Sequence, residues 1–200
     1  MSYSFKKDFL IKPRYILKNA RVCVNNSGYH YIDKLDPEVD ISDSFDLSSL
    51  NDEANSYIEK QLQSNPYRPK SQINLLTKWM GSIRNKKILD IGCGGGAFLT
   101  RALKIDAITK GIELSDSRGA YCVNKGLDVV KRPIDSSYWL EYKNYFDCVS
   151  LWDVIEHVND PELVLKSSYE VLESGGYIFI DTPCRDSFYH RFGVLTYKLT

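Results

Sequence analysis

The chain shows no excess of either charge, no long apolar run and no pairing pattern among its cysteines. Lysine plus arginine number 26 and aspartate plus glutamate 26, a formal net charge of zero over 200 residues. That balance argues against a dominant electrostatic partner such as DNA, so no nucleic acid is expected. No apolar stretch approaches the roughly 18 residues of a transmembrane helix, so no membrane insertion is expected. The N-terminus reads Met1-Ser2-Tyr3-Ser4-Phe5-Lys6-Lys7, without the apolar segment of a signal peptide. Cys23, Cys93, Cys122, Cys148 and Cys184 are scattered along the chain. Without a secretory signal they read as reduced thiols, and a cytoplasmic location is expected.

What the chain has is alternation. Residues 1 to about 20 are basic and aromatic, and residues from about 36 to 59 are acidic. Val22-Cys23-Val24 and Tyr29-His30-Tyr31-Ile32 flank Asn25-Asn26-Ser27-Gly28, a hairpin signal. Ser49 can cap a helix running to about Gln63, and Asn65-Pro66-Tyr67-Arg68-Pro69 breaks it. The expected division is an N-terminal extension over 1–64 and a core over 65–200. Ile73, Leu76, Met80 and Ile83 then share one helical stripe. Strands follow at about 87–91, 108–113, 128–132, 146–151 and 176–181, with helices between them. Ser115 caps one helix. Asn159 or Asp160 caps another, which Gly175 or Gly176 stops. This order predicts an α/β fold, a doubly wound and mostly parallel sheet.

The most informative segment is Lys87-Ile88-Leu89-Asp90-Ile91-Gly92-Cys93-Gly94-Gly95-Gly96-Ala97. It reads as a buried strand, a glycine turn and a helix whose positive N-terminus faces a nucleotide-like ligand. Gly92-x-Gly94-x-x-Ala97 satisfies the loose dinucleotide fingerprint, and Glu113 follows at about the ribose-binding spacing. Asp90 decides against a pyrophosphate, which its carboxylate would repel. It favours S-adenosylmethionine (SAM), whose sulfonium and ammonium are positive.

Four blocks carry a family resemblance: Leu89–Gly96, Gly111-Ile112-Glu113-Leu114-Ser115, Phe146–Val158 with Glu156-His157-Val158 at its end, and Leu172-Glu173-Ser174-Gly175-Gly176-Tyr177-Ile178-Phe179-Ile180. In that order they resemble class I SAM-dependent methyltransferases. The Glu-His-Val ending is similar to a subfamily of ubiquinone-pathway O-methyltransferases and bacterial sugar or natural-product methyltransferases. The resemblance implies a Rossmann-like core in which Glu113 binds both ribose hydroxyls and Gly92, Gly94 and Asp90 serve the methionine part. Arg68, in Asn65-Pro66-Tyr67-Arg68, is implied to hold the SAM carboxylate. Pro133 stands where relatives carry an adenine-binding acid, leaving Ile134 and Asp135 as the adenine candidates. Trp152 is expected to line the cavity, and Tyr138, Trp139, Phe188 and Tyr189 are candidates for an aromatic wall. The family sheet ends in an antiparallel hairpin, for which the roughly twenty residues after the fifth strand are too few. The expectation is therefore either a piece of a longer protein or an open sheet edge covered by another chain, with a homo-oligomer through that edge as the partner candidate. Some members begin with a C-x-x-C zinc knuckle. Here Cys23 is followed by Asn26 in the second ligand place, so no metal is expected there.

Asp153, Glu156 and His157 are the catalytic candidates. At i, i+3 and i+4 they would share one helical face. There they can form a general base with its orienter, ligate Mg2+ as in some relatives, or merely hold the next turn. His190, in the loop after Thr182-Pro183, is a further candidate base or ligand. The expected function is methyl transfer from SAM to an oxygen of a small-molecule or sugar-containing acceptor, leaving S-adenosylhomocysteine. A catalytically silent SAM-binding partner subunit and a nicotinamide-dependent oxidoreductase are the alternatives.

Overall fold

The computed structural model describes residues 52–183, together with the backbone of three N-terminal strands. Ser49, the Asn25–Gly28 turn, the loop from Cys184 with Phe188, Tyr189 and His190, and the expected missing hairpin lie outside the described residues. The chain divides into two compact units, Met1–Phe45 and Asp46–Thr200.

In the first unit β1 (Lys12–Leu17), β2 (Ala20–Val24) and β3 (His30–Ile32) form an antiparallel sheet in that order. Val22 pairs with Ile32 and Val24 with His30, the expected hairpin. β1 was not anticipated from sequence. It carries Pro13, which an outer strand tolerates, and its register slips between Pro13 and Tyr15.

The second unit begins with α1 (Asp52–Ser64) and α2 (Arg68–Met80). The boundary expected at residue 65 falls at the turn between these helices. Pro69 sits in the first turn of α2, where its missing N–H costs nothing. Beyond α2 come β4 (Lys87–Ile91), α3 (Ala97–Leu103), β5 (Ile108–Ile112), α4 (Asp116–Asn124), β6 (Val129–Val130), β7 (Phe146–Trp152), α5 (Pro161–Val171) and β8 (Leu172–Asp181). The five strands lie parallel in the order β6-β5-β4-β7-β8.

Strand alternation sends side chains to two apolar layers. Ile88 and Cys148 pack with Ile73, Leu76, Phe98, Leu99 and Leu127 on one face. Leu89, Ile91, Val149 and Leu151 pack with Trp139, Phe146 and Val171 on the other. The stripe read from sequence is core: Ile73, Leu76 and Ile83 are buried and Met80 packs against them.

Two boundaries differ from expectation. β6 has only two residues, because the chain pairs with β5 at Gly111 and Ile112 alone. α5 stops at Val171, before either glycine, and Leu172 is already extended. Gly175 and Gly176 lie inside β8, where four residues (173 to 176) stand against one of β7 (147) between the pairs Phe146–Leu172 and Cys148–Tyr177. The glycines accommodate a bulge rather than a helix end.

Candidate functional site

In the sheet order, β4 and β7 are neighbours from which the chain winds in opposite directions. A crevice opens there at the carboxyl ends of the strands. A cavity of about 330 Å3 occupies it, lined from the glycine loop by Gly92–Gly95, from β4 by Asp90, from β7 by Trp152, and by Arg68 and Gln72 of α2. That is near the lower end of the roughly 300–1,000 Å3 usual for small-ligand sites.

The loop is pinned from beneath. The N–H groups of Gly92 and Cys93 both donate to the Ile112 carbonyl, at 2.8 and 2.9 Å. Gly92 has φ +69°, and a Cβ there would lie 2.5 Å from Cγ2 of Val154, so only glycine fits. α1 packs against the outer side of the loop, where a Cβ on Gly95 would meet Ile58 and Leu62 at 2.9–3.3 Å. The Cys122 thiol donates to the Gly94 carbonyl at 3.2 Å. The Cys122 thiol and burial push the Cys93 thiol up, so Cys93 is a small packing residue and no nucleophile.

Glu113 follows β5 directly and is buried. One carboxylate oxygen accepts from the Gly94 N–H at 2.8 Å and the other from the Ser115 N–H at 2.9 Å. The acid thus ties the glycine loop to the N-cap of α4. Ser115 caps that helix as expected, accepting from the Arg118 N–H. Each carboxylate oxygen retains a lone pair for a further donor, such as a ribose hydroxyl.

Asp90 is 1% exposed and pairs in register with Ser150 of β7. The Ser150 hydroxyl donates to it at 2.7 Å. Burial pushes its carboxyl up to about 7, the Ser150 bond opposes that rise, and the charge of Glu113 adds to it. A cationic ligand group in the cavity would favour the ionised form.

Arg68 lines the cavity, but its guanidinium is occupied: it bonds Asp153 at 2.5 Å and Asp181 at 3.2 Å, bridging the ends of β7 and β8. Asp153 in turn does not share a helical face with Glu156 and His157. Its φ of +55° turns the chain, its N–H donates to the Asp181 carbonyl, and only a short 3-10 turn (Ile155–His157) follows. Glu156 and His157 are exposed. The expected trio is therefore not assembled. Among the described residues no three His, Cys, Asp or Glu side chains converge on a metal site, so the Mg2+ alternative finds no support there. The cation beside Asp153 is Arg68.

The adenine candidates also differ from expectation. The Ile134 side chain is buried in the core layer with Leu89, Ile112 and Trp139, and Asp135 is exposed; neither lines the cavity. Tyr138 and Trp139 pack together in that same layer, and the Trp139 indole donates to the Arg132 carbonyl at 3.1 Å. Trp152 does line the cavity, its ring edge-on to Phe98 at 5.5 Å. Gln72, Arg118, Gln61 and Leu62 are lining residues that sequence reasoning missed. Only Gln72 carried a signal, a polar residue beside Ile73 on the face that α2 turns inward.

The family model described as "Methyltransferase domain" matches residues 57–197. An O-methyltransferase of ubiquinone biosynthesis from Shewanella sp. (strain ANA-3) is 29% identical over 128 residues, covering 61% of this chain and 52% of that protein. One of the same name from Pseudomonas entomophila (strain L48) is 31% identical over 129 residues, covering 60% and 56%. The chain thus spans about half the length of these curated relatives. Its fold matches a SAM-dependent methyltransferase of Thermotoga maritima described as a possible histamine N-methyltransferase, with TM-score 0.55, 24% identity and coverage of 73% and 66%. A SAM-dependent methyltransferase of Archaeoglobus fulgidus matches with TM-score 0.53, 24% identity and coverage of 70% and 64%. The glycine loop, the buried acid before it, the acid after β5 and the matched family model lead to one conclusion: the chain belongs to the methyltransferase domain family and has the class I fold of SAM-dependent methyltransferases.

Proposed function

We propose that this chain is the SAM-binding part of an enzyme that transfers a methyl group to an oxygen of a small-molecule or sugar-containing acceptor. The observation that carries this is the pair of buried acids, Asp90 and Glu113, on either side of the glycine loop at the switch point. Such a site suits a ligand with a ribose diol and positive charge and disfavours a pyrophosphate, which argues against a nicotinamide cofactor. Oxygen as the acceptor atom is supported by the O-methyltransferase relatives. When bound, SAM supplies a methyl group already activated by sulfonium. This chain then has to hold the cofactor, align the acceptor and take up a proton. Glu113 holds the ribose, and Gly92 and Gly94 give backbone access to the methionine part. Asp153, which lines the crevice, and Glu156 and His157, in the exposed turn that follows it, are the candidate proton acceptors.

One observation favours a second reading, a SAM-binding subunit without catalysis of its own. Asp153 is neutralised by Arg68, and Glu156 and His157 are apart from it in solvent. Among the described residues no helix is long and apolar enough to cross a membrane. A cytoplasmic location, and pairing of copies along β8, the outer strand of the described sheet, belong to the same proposal. Calorimetric titration with S-adenosylhomocysteine, with NAD as control, tests the cofactor. Transfer of labelled methyl to a panel of phenols, catechols and sugar conjugates separates the two readings. Binding with transfer supports the enzyme, binding without transfer supports the silent subunit, and no binding refutes both.

A further inference from the structure

Between Glu59 and Asp90 the chain carries lysines and arginines but no acidic residue, although its charges balance overall. Several of these cations are already engaged. Arg68 bonds Asp153 and Asp181, Arg84 bonds Asp106, Lys86 bonds Asp147, and Lys87 lies over the Tyr145 ring at 4.2 Å. Lys70 and Lys78 of α2 are exposed and meet no carboxylate among the described residues. They stand with Asn74 in one i, i+4 row of the helix. The neighbouring row is Tyr67, Ser71, Leu75 and Trp79. The Ser71 N–H donates to the Tyr67 carbonyl, so Tyr67 belongs to this row. Tyr67 is 77% exposed, Trp79 60% and Leu75 39%. The Lys78 ammonium lies 5.9 Å from the centre of the Trp79 ring. α2 is thus apolar on two sides: Ile73 and Leu76 bury one in the core, and the other faces solvent.

A contiguous apolar row left in water marks a contact surface. Tyrosine and tryptophan rings, each with an apolar body and a polar tip, favour the headgroup level of a bilayer. Lysines beside them lay their stems along the rings and reach anionic headgroups. Two unpaired lysines are too few for a nucleic acid, whose affinity is built from many phosphate contacts. Among the described residues no helix is long and apolar enough to cross a membrane, so the contact is with its surface. We propose that the outer face of α2 docks on an anionic lipid bilayer, with Tyr67, Leu75 and Trp79 at the headgroup level and Lys70 and Lys78 on the headgroup charges. This surface uses neither acid of the crevice, so it stands whether or not the cofactor binds.

Cosedimentation of the full chain with lipid vesicles is the test. A lysine at an anionic surface contributes about fivefold, so the two together give about 30-fold. Phosphatidylcholine vesicles carrying phosphatidylglycerol should therefore bind the protein about 30-fold more tightly than phosphatidylcholine alone at low salt, and high salt should release it. Lys70→Gln with Lys78→Gln should lose that preference. Trp79→Ala should weaken binding to the mixed vesicles about tenfold. Lys166→Gln with Tyr169→Ala, an exposed pair on α5, is the control and should bind as wild type. Thermal melting confirms that each variant is folded. Equal binding to both kinds of vesicle, or to neither, overturns the proposal. So does a lysine or Trp79 variant that binds as wild type, or a control that loses as much. A dimer in sedimentation that Trp79→Ala abolishes, without vesicle binding, assigns the face to a second copy of the chain instead.

Discussion

Replacing Asp90 by Asn should stabilise this protein at neutral pH while weakening its hold on the cofactor. Burial raises the carboxyl from 3.8 to about 7. At about 1.36 kcal/mol per pH unit, ionising Asp90 in the folded chain costs about 4 kcal/mol more than in the unfolded chain. Between those two values the folded state holds the extra proton, so stability falls as pH rises from about 4 to about 7 and is level outside that window. This is the reverse of the usual carboxylate, whose pairing depresses its pKa. Asn keeps an oxygen to accept from the Ser150 hydroxyl, now 2.7 Å from Asp90. The strength of the Ser150 bond to the charged form is already counted in the value of about 7. The variant should therefore gain about 4 kcal/mol over wild type at pH 8 and close to nothing at pH 4. Urea unfolding of both proteins at intervals from pH 4 to 8 measures it. Titration with S-adenosylhomocysteine gives the converse: wild-type affinity should rise through pH 7 as Asp90 ionises and attracts the ammonium, and the variant should lack that rise. Parallel pH profiles for the two proteins, in unfolding and in binding, would refute the reasoning.

Glu113→Gln keeps one acceptor oxygen for two N–H donors, at 2.8 and 2.9 Å in the wild type, so it should lose about 1–3 kcal/mol of stability and bind S-adenosylhomocysteine more weakly. An unchanged melting temperature with unchanged affinity would contradict the role given to this acid. Gly92→Ala places a Cβ against Val154 in a left-handed backbone, and overpacking alone should cost about 1–3 kcal/mol in a melting experiment. Because Arg68 occupies Asp153, chelation with EDTA should leave cofactor affinity and methyl transfer unchanged. A large loss restored by Mg2+ would show that the carboxylates rearrange around a metal.

Much of the core was legible because its signals are local. Lys87–Ile91 holds three apolar residues and is ended by glycine, and the observed strand has those bounds. Asp160 accepts from the Leu163 N–H at 2.9 Å as an N-cap, which a sequence of Asp followed by Pro announces. The bulge in β8 was not legible, because a Gly-Gly pair signals a helix stop as readily as a bulge. Pro13 likewise obscured β1, since a proline is acceptable in a strand only if the strand lies at an edge, which sequence does not report.

Fold class, the order of the elements and the ligand loop are written in the amino-acid sequence. Each rests on residue spacing and on glycines whose conformational freedom is intrinsic. Tertiary structure alone decided what the charged side chains do. Asp90 meets Ser150 because β4 and β7, 60 residues apart, lie in register. Glu113 reaches back 19 residues to Gly94. Arg68 is neutralised by Asp153 and Asp181, which the ends of β7 and β8 bring together. Charge pairing and desolvation depend on distances through space, and those exist only once the sheet has formed.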